Sequence, residues 1–313
     1  MSTLSDLTVA AGIAGAAGSR LDRAGYGYLT SRLSSRYFFE LAQVLGVELM
    51  VECGANAAEA SIEFVNRARG RAIAIEANPR TFADITSKAA AAGIMPVCVA
   101  LGDTSAEVEL MVPRSGAELF SGASSTAVRN DGHTYDRYAV NQRTLDGVLD
   151  ELLPKLPTAA LWIDVEGRAL QVLRGASQTL GSGAVALIYV EVETLQFWKD
   201  QSLAPEVDGL LRAHGFTAVI RDMQSRDQFN LIYIREDLLA RADELVFCYW
   251  RDLAALRIGF FTACRLRLGA IKKRLLGDGS TGGALAIHLI AAAFGSHSSR
   301  AALGKRFGRS VRR

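Results

Sequence analysis

The sequence predicts an α/β protein: a doubly wound, mostly parallel sheet with an antiparallel terminal hairpin and a basic helical C-terminal extension. From Glu48 onward, short apolar runs alternate with longer helical patterns, the signature of βαβ units. Each candidate strand ends in, or just before, a polar residue. In an open parallel sheet the carboxyl ends of the strands open into the ligand crevice, so those residues converge on one site. The last two apolar runs, Thr217–Arg221 and Phe229–Ile234, flank a turn-like Gln224–Asp227 and read as the hairpin.

The elements follow in chain order. Residues 1–46 read as an N-terminal helical arm. Its start, MSTLSD, and the Ala/Gly-rich run Leu7–Gly18 lack the basic n-region of a secretory signal. A central domain spans 47–236. Its expected strands are Leu49–Cys53, Ala72–Glu76, Met95–Leu101, Ala160–Val165 and Val185–Glu193. Between the third and fourth, Val108–Val112 and Arg137–Arg143 read as extended segments around the Gly/Ser-rich loop Ser115–Gly132, long enough to be functional or disordered. Thr144 is a good N-cap for a helix through Leu153, and a further helix is expected near Pro205–His214. Residues 237–313 form the extension, with a linker at Gly277–Gly283.

Length and composition fit one large α/β domain with appendages. The four cysteines are scattered without paired spacing, which argues against a thiolate zinc site or a disulfide framework and suits a reducing cytoplasm. Net charge is only +2, yet residues 257–313 hold twelve Lys or Arg against the single acid Asp278. No run reaches the roughly 20 apolar residues of a membrane-spanning helix.

The chemistry begins at Glu52-Cys53-Gly54-Ala55-Asn56, a strand followed by a tight turn and a helix start. Gly54 supplies the turn's backbone freedom, and its missing side chain is expected to let a ligand approach. Twenty-two residues on, Glu76 ends the next strand, where a carboxylate accepts from the ribose hydroxyls of a nucleoside. A dinucleotide needs more glycine at the helix N-terminus, and Glu59 would repel a diphosphate. Taken alone, the motif equally fits any strand-turn-helix in which Glu59 complements the helix dipole.

The ordered blocks Glu52-Cys53-Gly54-Ala55-Asn56, Glu76-Ala77-Asn78-Pro79, Ala100-Leu101-Gly102-Asp103, Thr144-Leu145-Asp146 and Trp162-Ile163-Asp164-Val165-Glu166-Gly167 resemble those of FkbM-type methyltransferases. The resemblance covers about 48–235. It implies a Rossmann-like class I methyltransferase fold, S-adenosylmethionine as cofactor, and O-methylation of a hydroxyl on a small molecule or glycan. Glu52, Gly54, Asn56, Glu76 and Asp103 become the expected cofactor contacts; by the resemblance Asp103 reaches the adenine amino group, although Gly102-Asp103 also reads as a plain turn pair. The chain departs from the family pattern in three places. Glu52 replaces an Asp, Ala58 stands where a second Gly is usual, and Trp162 stands where Lys is usual.

Asp164 and Glu166, two apart at a strand end, are expected to point to one side. Asp164 is the first choice to take or orient the acceptor's hydroxyl proton. Glu166 and Glu191 complete the catalytic set, with Glu193 beside them. Three acids near one point also suit a hard divalent cation, though no metal ligands are assigned. His133 is an alternative base in the long loop.

The tail segment Arg257–Leu276 mixes large apolar residues with six cations and no acid, a composition that suits an anionic membrane surface or packing on the domain. No recognised nucleic-acid module is present. The competing functions are a catalytically altered, membrane-associated binding homologue, suggested by Ala58 and Trp162, and an NAD-dependent oxidoreductase, disfavoured by the single-glycine turn.

Overall fold

A computed structural model describes residues 23–115, 118–119, 121–130 and 134–256. The Arg257–Leu276 segment, the rest of the tail, the Ala/Gly-rich start and His133 lie outside the described residues.

The strands are β1 (Leu49–Cys53), β2 (Arg71–Ile75), β3 (Met95–Val97), β4 (Ala100–Leu101), β5 (Ala106–Ser115), β6 (Glu118–Leu119), β7 (Thr134–Arg143), β8 (Ala159–Ile163), β9 (Val185–Glu193), β10 (Phe216–Arg221) and β11 (Gln228–Arg235). The helices are α1 (Arg23–Leu45), α2 (Glu59–Ala68), α3 (Pro79–Ala91), α4 (Leu145–Leu152), α5 (Ala169–Arg174), α6 (Ser177–Gly181) and α7 (Ala204–Ala213), followed by α8 over 239–256.

Seven strands form the main sheet in the order β3-β2-β1-β8-β9-β11-β10. Pairing is parallel from β3 through β9, and β11 runs antiparallel to both β9 and β10. The order reverses between β1 and β8, and this switch point is where an open α/β sheet leaves a crevice. The expected third strand divides: Met95–Val97 stays on the main sheet, while Ala100–Leu101 leaves its edge and pairs with β7 in a second sheet ordered β4-β7-β5-β6. The two extended segments expected there are the long antiparallel pair β5 and β7.

The period of two in each strand separates two cores. Leu49, Val51, Cys53, Leu161 and Ile163 face α4 to α7, whereas Met50, Ala72, Ala74 and Ala160 face α1, α2, α3 and α8. Helices on both faces explain why the central strands β1 and β9 are buried along their whole length instead of alternating with exposed positions. The helices on either side of the 47–236 region pack into this same core. Tyr37, Phe38 and Leu41 of α1 are buried with Ala242, Val246, Tyr249 and Leu253 of α8. Tyr37 donates to Asp252 at 2.8 Å and meets Tyr249 edge-on. The Trp250 ring nitrogen donates to the Val219 carbonyl at the sheet's far edge.

Candidate functional site

The register of the sheet builds the site. Cys53 lies beside Ile75 of β2 and Ile163 of β8, and Ile163 lies beside Val190 of β9. The next residue on each strand is therefore Glu76, Gly54, Asp164 and Glu191, a row across four adjacent strand ends at the switch point. Gly54, Asn56, Glu76, Asp164, Glu166 and Arg168 line one cavity there, closed on the far side by Leu110 of β5 and by Ser124–Thr126 of the long loop.

Gly54 adopts φ +84°, and a Cβ built on it would stand 1.8 Å from the Asp164 carbonyl oxygen. That atom belongs to the neighbouring strand end, so the missing side chain serves the packing of the two strand ends, and Gly54 also lines the cavity. The Asp164 amide in turn donates to the Cys53 carbonyl at 3.0 Å, so the two ends are stitched together. Asn56 and Ala58 both lie in the left-handed region, at φ 43° and 56°. Asn tolerates it; Ala58 does so at a cost of roughly 1–2 kcal/mol, which is why glycine suits the position.

Glu76 accepts from the backbone amides of Asn56 and Asn78, both at 2.7 Å. Burial raises its pKa, and those two amides work against the rise. A carboxylate has about four acceptor sites, so capacity remains for further donors in the cavity. Glu76 therefore pins two turns as well as lining the cavity, and Asn78 caps α3 by accepting from the Arg80 amide.

Glu52 does not line this cavity. It sits on the α1/α2 face of β1, and its carboxylate accepts from the Ser61 amide at 2.9 Å, capping α2 from below in place of Ala58, which makes no side-chain cap. Burial lifts it to about 7, against the Ser61 hydrogen bonds. Asp103 is exposed and lines a neighbouring cavity with Met111, Gln142 and Gln171, joined to the first by Leu101, Thr126 and Arg168. Trp162 faces away from the crevice. It stacks on Tyr189 at 3.7 Å between ring centroids and on Phe39 at 6.0 Å, so its exchange for the usual Lys belongs to the packing of α1.

Asp164, Glu166 and Glu191 do converge, with one carboxylate oxygen of each within 4.8 Å of the others. Strand alternation is not the reason. β8 ends at Ile163, and Glu166 and Gly167 turn the chain with φ 48° and 82°. Side-chain space at Gly167 is closed by the Trp198 ring, 2.8 Å from a built Cβ. Ser125 of the long loop donates to the Glu166 carbonyl at 2.7 Å and holds that turn. Burial is the first cause of each acid's raised pKa: Asp164 to about 6, Glu166 to about 8 and Glu193 to about 7, with Glu191 well above its usual range. Mutual repulsion adds to the rise in the three glutamates, while Arg129 lowers Glu166 and Glu193, and Gln228, which donates to Glu191 at 2.9 Å, opposes its rise. The acids titrate as a coupled group, held above the usual carboxylate range by burial.

Sequence reasoning missed Ser125, Arg129, Arg168, Trp198 and Gln228. They come from the long loop, a turn and the terminal hairpin, and no spacing links them to the strand ends. Thr144 was legible: it accepts from the Gly147 amide and starts α4. Asp146 of the same block accepts from the Gln178 and Thr179 amides and caps α6.

The sequence pattern of the methyltransferase FkbM domain matches residues 52–218. The chain belongs to the FkbM methyltransferase family. This FkbM-family chain is a methyltransferase built on a doubly wound, mostly parallel α/β sheet. No curated protein matches it. It is similar to the solved structure of ribosomal protein L11 methylase from Lactobacillus delbrueckii subsp. bulgaricus, at TM-score 0.37 and 13% identity over 66% of this chain and 79% of that one. It is also similar to magnesium protoporphyrin IX methyltransferase (ChlM) from Synechocystis PCC 6803 with bound SAM, at TM-score 0.38 and 14% identity over 70% and 86%. A third is M. capricolum TrmK in complex with S-adenosyl-homocysteine, at TM-score 0.33 and 10% identity over 64% and 68%. Among the described residues, no helix is long and apolar enough to cross a membrane.

Proposed function

We propose that this FkbM-family methyltransferase methylates a hydroxyl group on a small molecule or glycan, with Asp164 taking or orienting the hydroxyl proton. The observation that carries the reading is the row Glu76, Gly54, Asp164 and Glu191 along the switch point: a nucleoside-type acceptor at one end and a carboxylate cluster at the other.

The residues present fit S-adenosylmethionine. Glu76 is fixed by two amides with acceptor capacity left for ribose hydroxyls, Asn56 and Gly54 form the floor of the turn, and no phosphate-binding glycine run follows. Asp103 sits one cavity further along, where a carboxylate suits the amino group of adenine. When bound, the cofactor supplies an electrophilic methyl group on a cationic sulfur.

The chain's own residues do the rest. Hydroxyl attack requires the loss of a proton, and Asp164 stands at the strand end nearest the cofactor turn, tied to it through Cys53. Fixing two reactants side by side supplies much of the remaining acceleration. Glu166 and Glu191 border the acceptor's position, and Gln228 fixes the Glu191 carboxylate.

Asp164→Asn keeps the shape and removes the basicity. Turnover is expected to fall by about 10²–10⁴, read as methyl-labelled product from glycan and metabolite mixtures by mass spectrometry. Affinity for S-adenosylhomocysteine, read by calorimetry, should stay nearly unchanged. Full turnover in the variant would remove Asp164 from the mechanism.

A further inference from the structure

The cavity at the strand ends is small for a nucleoside cofactor. It encloses about 60 Å³, whereas the neighbouring cavity that holds Asp103 offers about 460 Å³. Sites for small molecules and cofactors occupy roughly 300–1,000 Å³. The two cavities share Leu101, Thr126 and Arg168 as a common wall. Methyl transfer keeps the reacting end beside Asp164 in the first cavity, so the base is the end that extends into the second.

That second cavity is lined by one donor and one acceptor without partners. Arg168 follows the Glu166–Gly167 turn and is half-buried; one Nη donates to the Thr126 carbonyl at 3.2 Å, while Nε meets no acceptor. Among the described residues no carboxylate pairs with it directly. Burial draws its pKa below the ordinary value, and Asp103 and Asp200 oppose this through space, which places Asp103 near the guanidinium. Gln171, three residues on in α5, lines the same cavity, and its buried Oε1 meets no donor. Gly175, at the end of α5, lets the helix close on the strand end: a Cβ built there would stand 2.1 Å from the Gly102 carbonyl oxygen. The helix that carries Gln171 is thereby held against the Gly102-Asp103 turn. Unpaired buried polar atoms are costly, so both side chains gain by turning to a ligand that supplies the reverse pair.

We propose that Arg168 and Gln171 recognise the edge of the cofactor's adenine, Arg168 donating to a ring nitrogen and Gln171 accepting from the amino group. Adenine sets an amino donor beside a ring-nitrogen acceptor, the complement of this pair. The amino group has two hydrogens, so Asp103 can still accept one. A hypoxanthine base carries a carbonyl oxygen in place of the amino group and sets acceptor against acceptor. The inference rests on the S-adenosylmethionine reading above and adds to Glu76 and Asp103 the residues that select the base.

The test measures binding of S-adenosylhomocysteine and S-inosylhomocysteine, which differ at that edge, to the full chain by calorimetry. The parent should prefer the adenosine compound by at least about tenfold, because the mismatched base leaves buried groups unpaired. Gln171→Met, similar in length, should cut that preference by about fivefold or more, whereas Gln171→Glu keeps an acceptor oxygen and should retain it. Arg168→Met should weaken S-adenosylhomocysteine by about tenfold. Arg174→Met, exposed on α5, should change neither value. A parent-like Tm marks each variant as folded; if Gln171→Met does not fold, Gln171→Ala, which cannot overfill the cavity, replaces it. Unchanged preference in the folded Gln171 variant, or unchanged affinity in folded Arg168→Met, overturns the pair. Equal binding of both compounds by the parent overturns it too and leaves the cofactor reading standing. No binding of either compound by the parent sinks the cofactor reading, and this inference with it.

Discussion

At the scale of single residues, the same acid type does different work according to the atom it faces. Glu76 fastens two turns and lines the cavity, Glu191 is held by Gln228 in the acceptor cluster, and Glu52 caps a helix on the opposite face of β1. Glu52 also makes stability depend on pH. Its carboxyl ionises near 4.5 in an unfolded chain and near 7 when buried. Below about 4.5 both states are protonated. Between about 4.5 and 7 the unfolded chain gives up its proton first, so stability falls as pH rises, by at most about 3 kcal/mol for this group. Glu52→Gln removes the titration while an amide oxygen still faces the Ser61 amide. Urea unfolding at pH 5 and pH 8 should therefore show a smaller loss in the variant than in the parent. An unchanged difference would mean that other acids carry the dependence.

At the scale of elements, α1 and α8 cover the sheet face that carries the small residues Ala72, Ala74 and Ala160, and the sequence placed both helices in appendages outside 47–236. A helix whose partners lie some 200 residues away in sequence leaves no local sign of where it docks. Tyr249 joins the two: its ring packs edge-on against Tyr37 and its hydroxyl donates to the Arg221 carbonyl at 2.6 Å. Tyr249→Ala should destabilise the protein by about 3–5 kcal/mol, the usual cost of emptying a large aromatic site, read as a lower urea midpoint. A loss within about 0.5 kcal/mol, typical of a surface position, would show that α8 is an accessory. The long loop is the other element with reach. Met111 and Ser125 exchange backbone hydrogen bonds, and Arg129 pairs with Trp198, so residues 121–130 connect β5 to the wall of the acceptor site.

At the scale of the whole molecule, a ligand that binds only the folded state stabilises it by mass action. S-adenosylhomocysteine at 100 times its dissociation constant should add about 2.7 kcal/mol, seen as a rise in Tm, whereas NAD at the same concentration should add none. A shift with NAD and none with S-adenosylhomocysteine would revive the oxidoreductase alternative. The distinction is architectural. A pyrophosphate needs further glycines at the helix N-terminus, and after Gly54 the turn carries Ala55, Asn56 and Ala58 instead.

The sequence by itself determined the sheet, because short apolar runs separated by longer helical patterns leave few alternatives, and it located the strand ends where Glu76, Gly54, Asp164 and Glu191 emerge. It also gave the helix start at Thr144, whose hydroxyl acts three residues away. Only the tertiary structure decided which polar residues share the crevice. Glu52 and Trp162 fall on the far face of the sheet, although both lie in motif blocks, because a side chain's face depends on register within the strand and on the helix that covers it. The meeting of Asp164, Glu166 and Glu191 likewise depends on a left-handed turn and on pairing between strands separated by a helix pair. Such pairing is set by packing across the whole sheet, which no local pattern encodes.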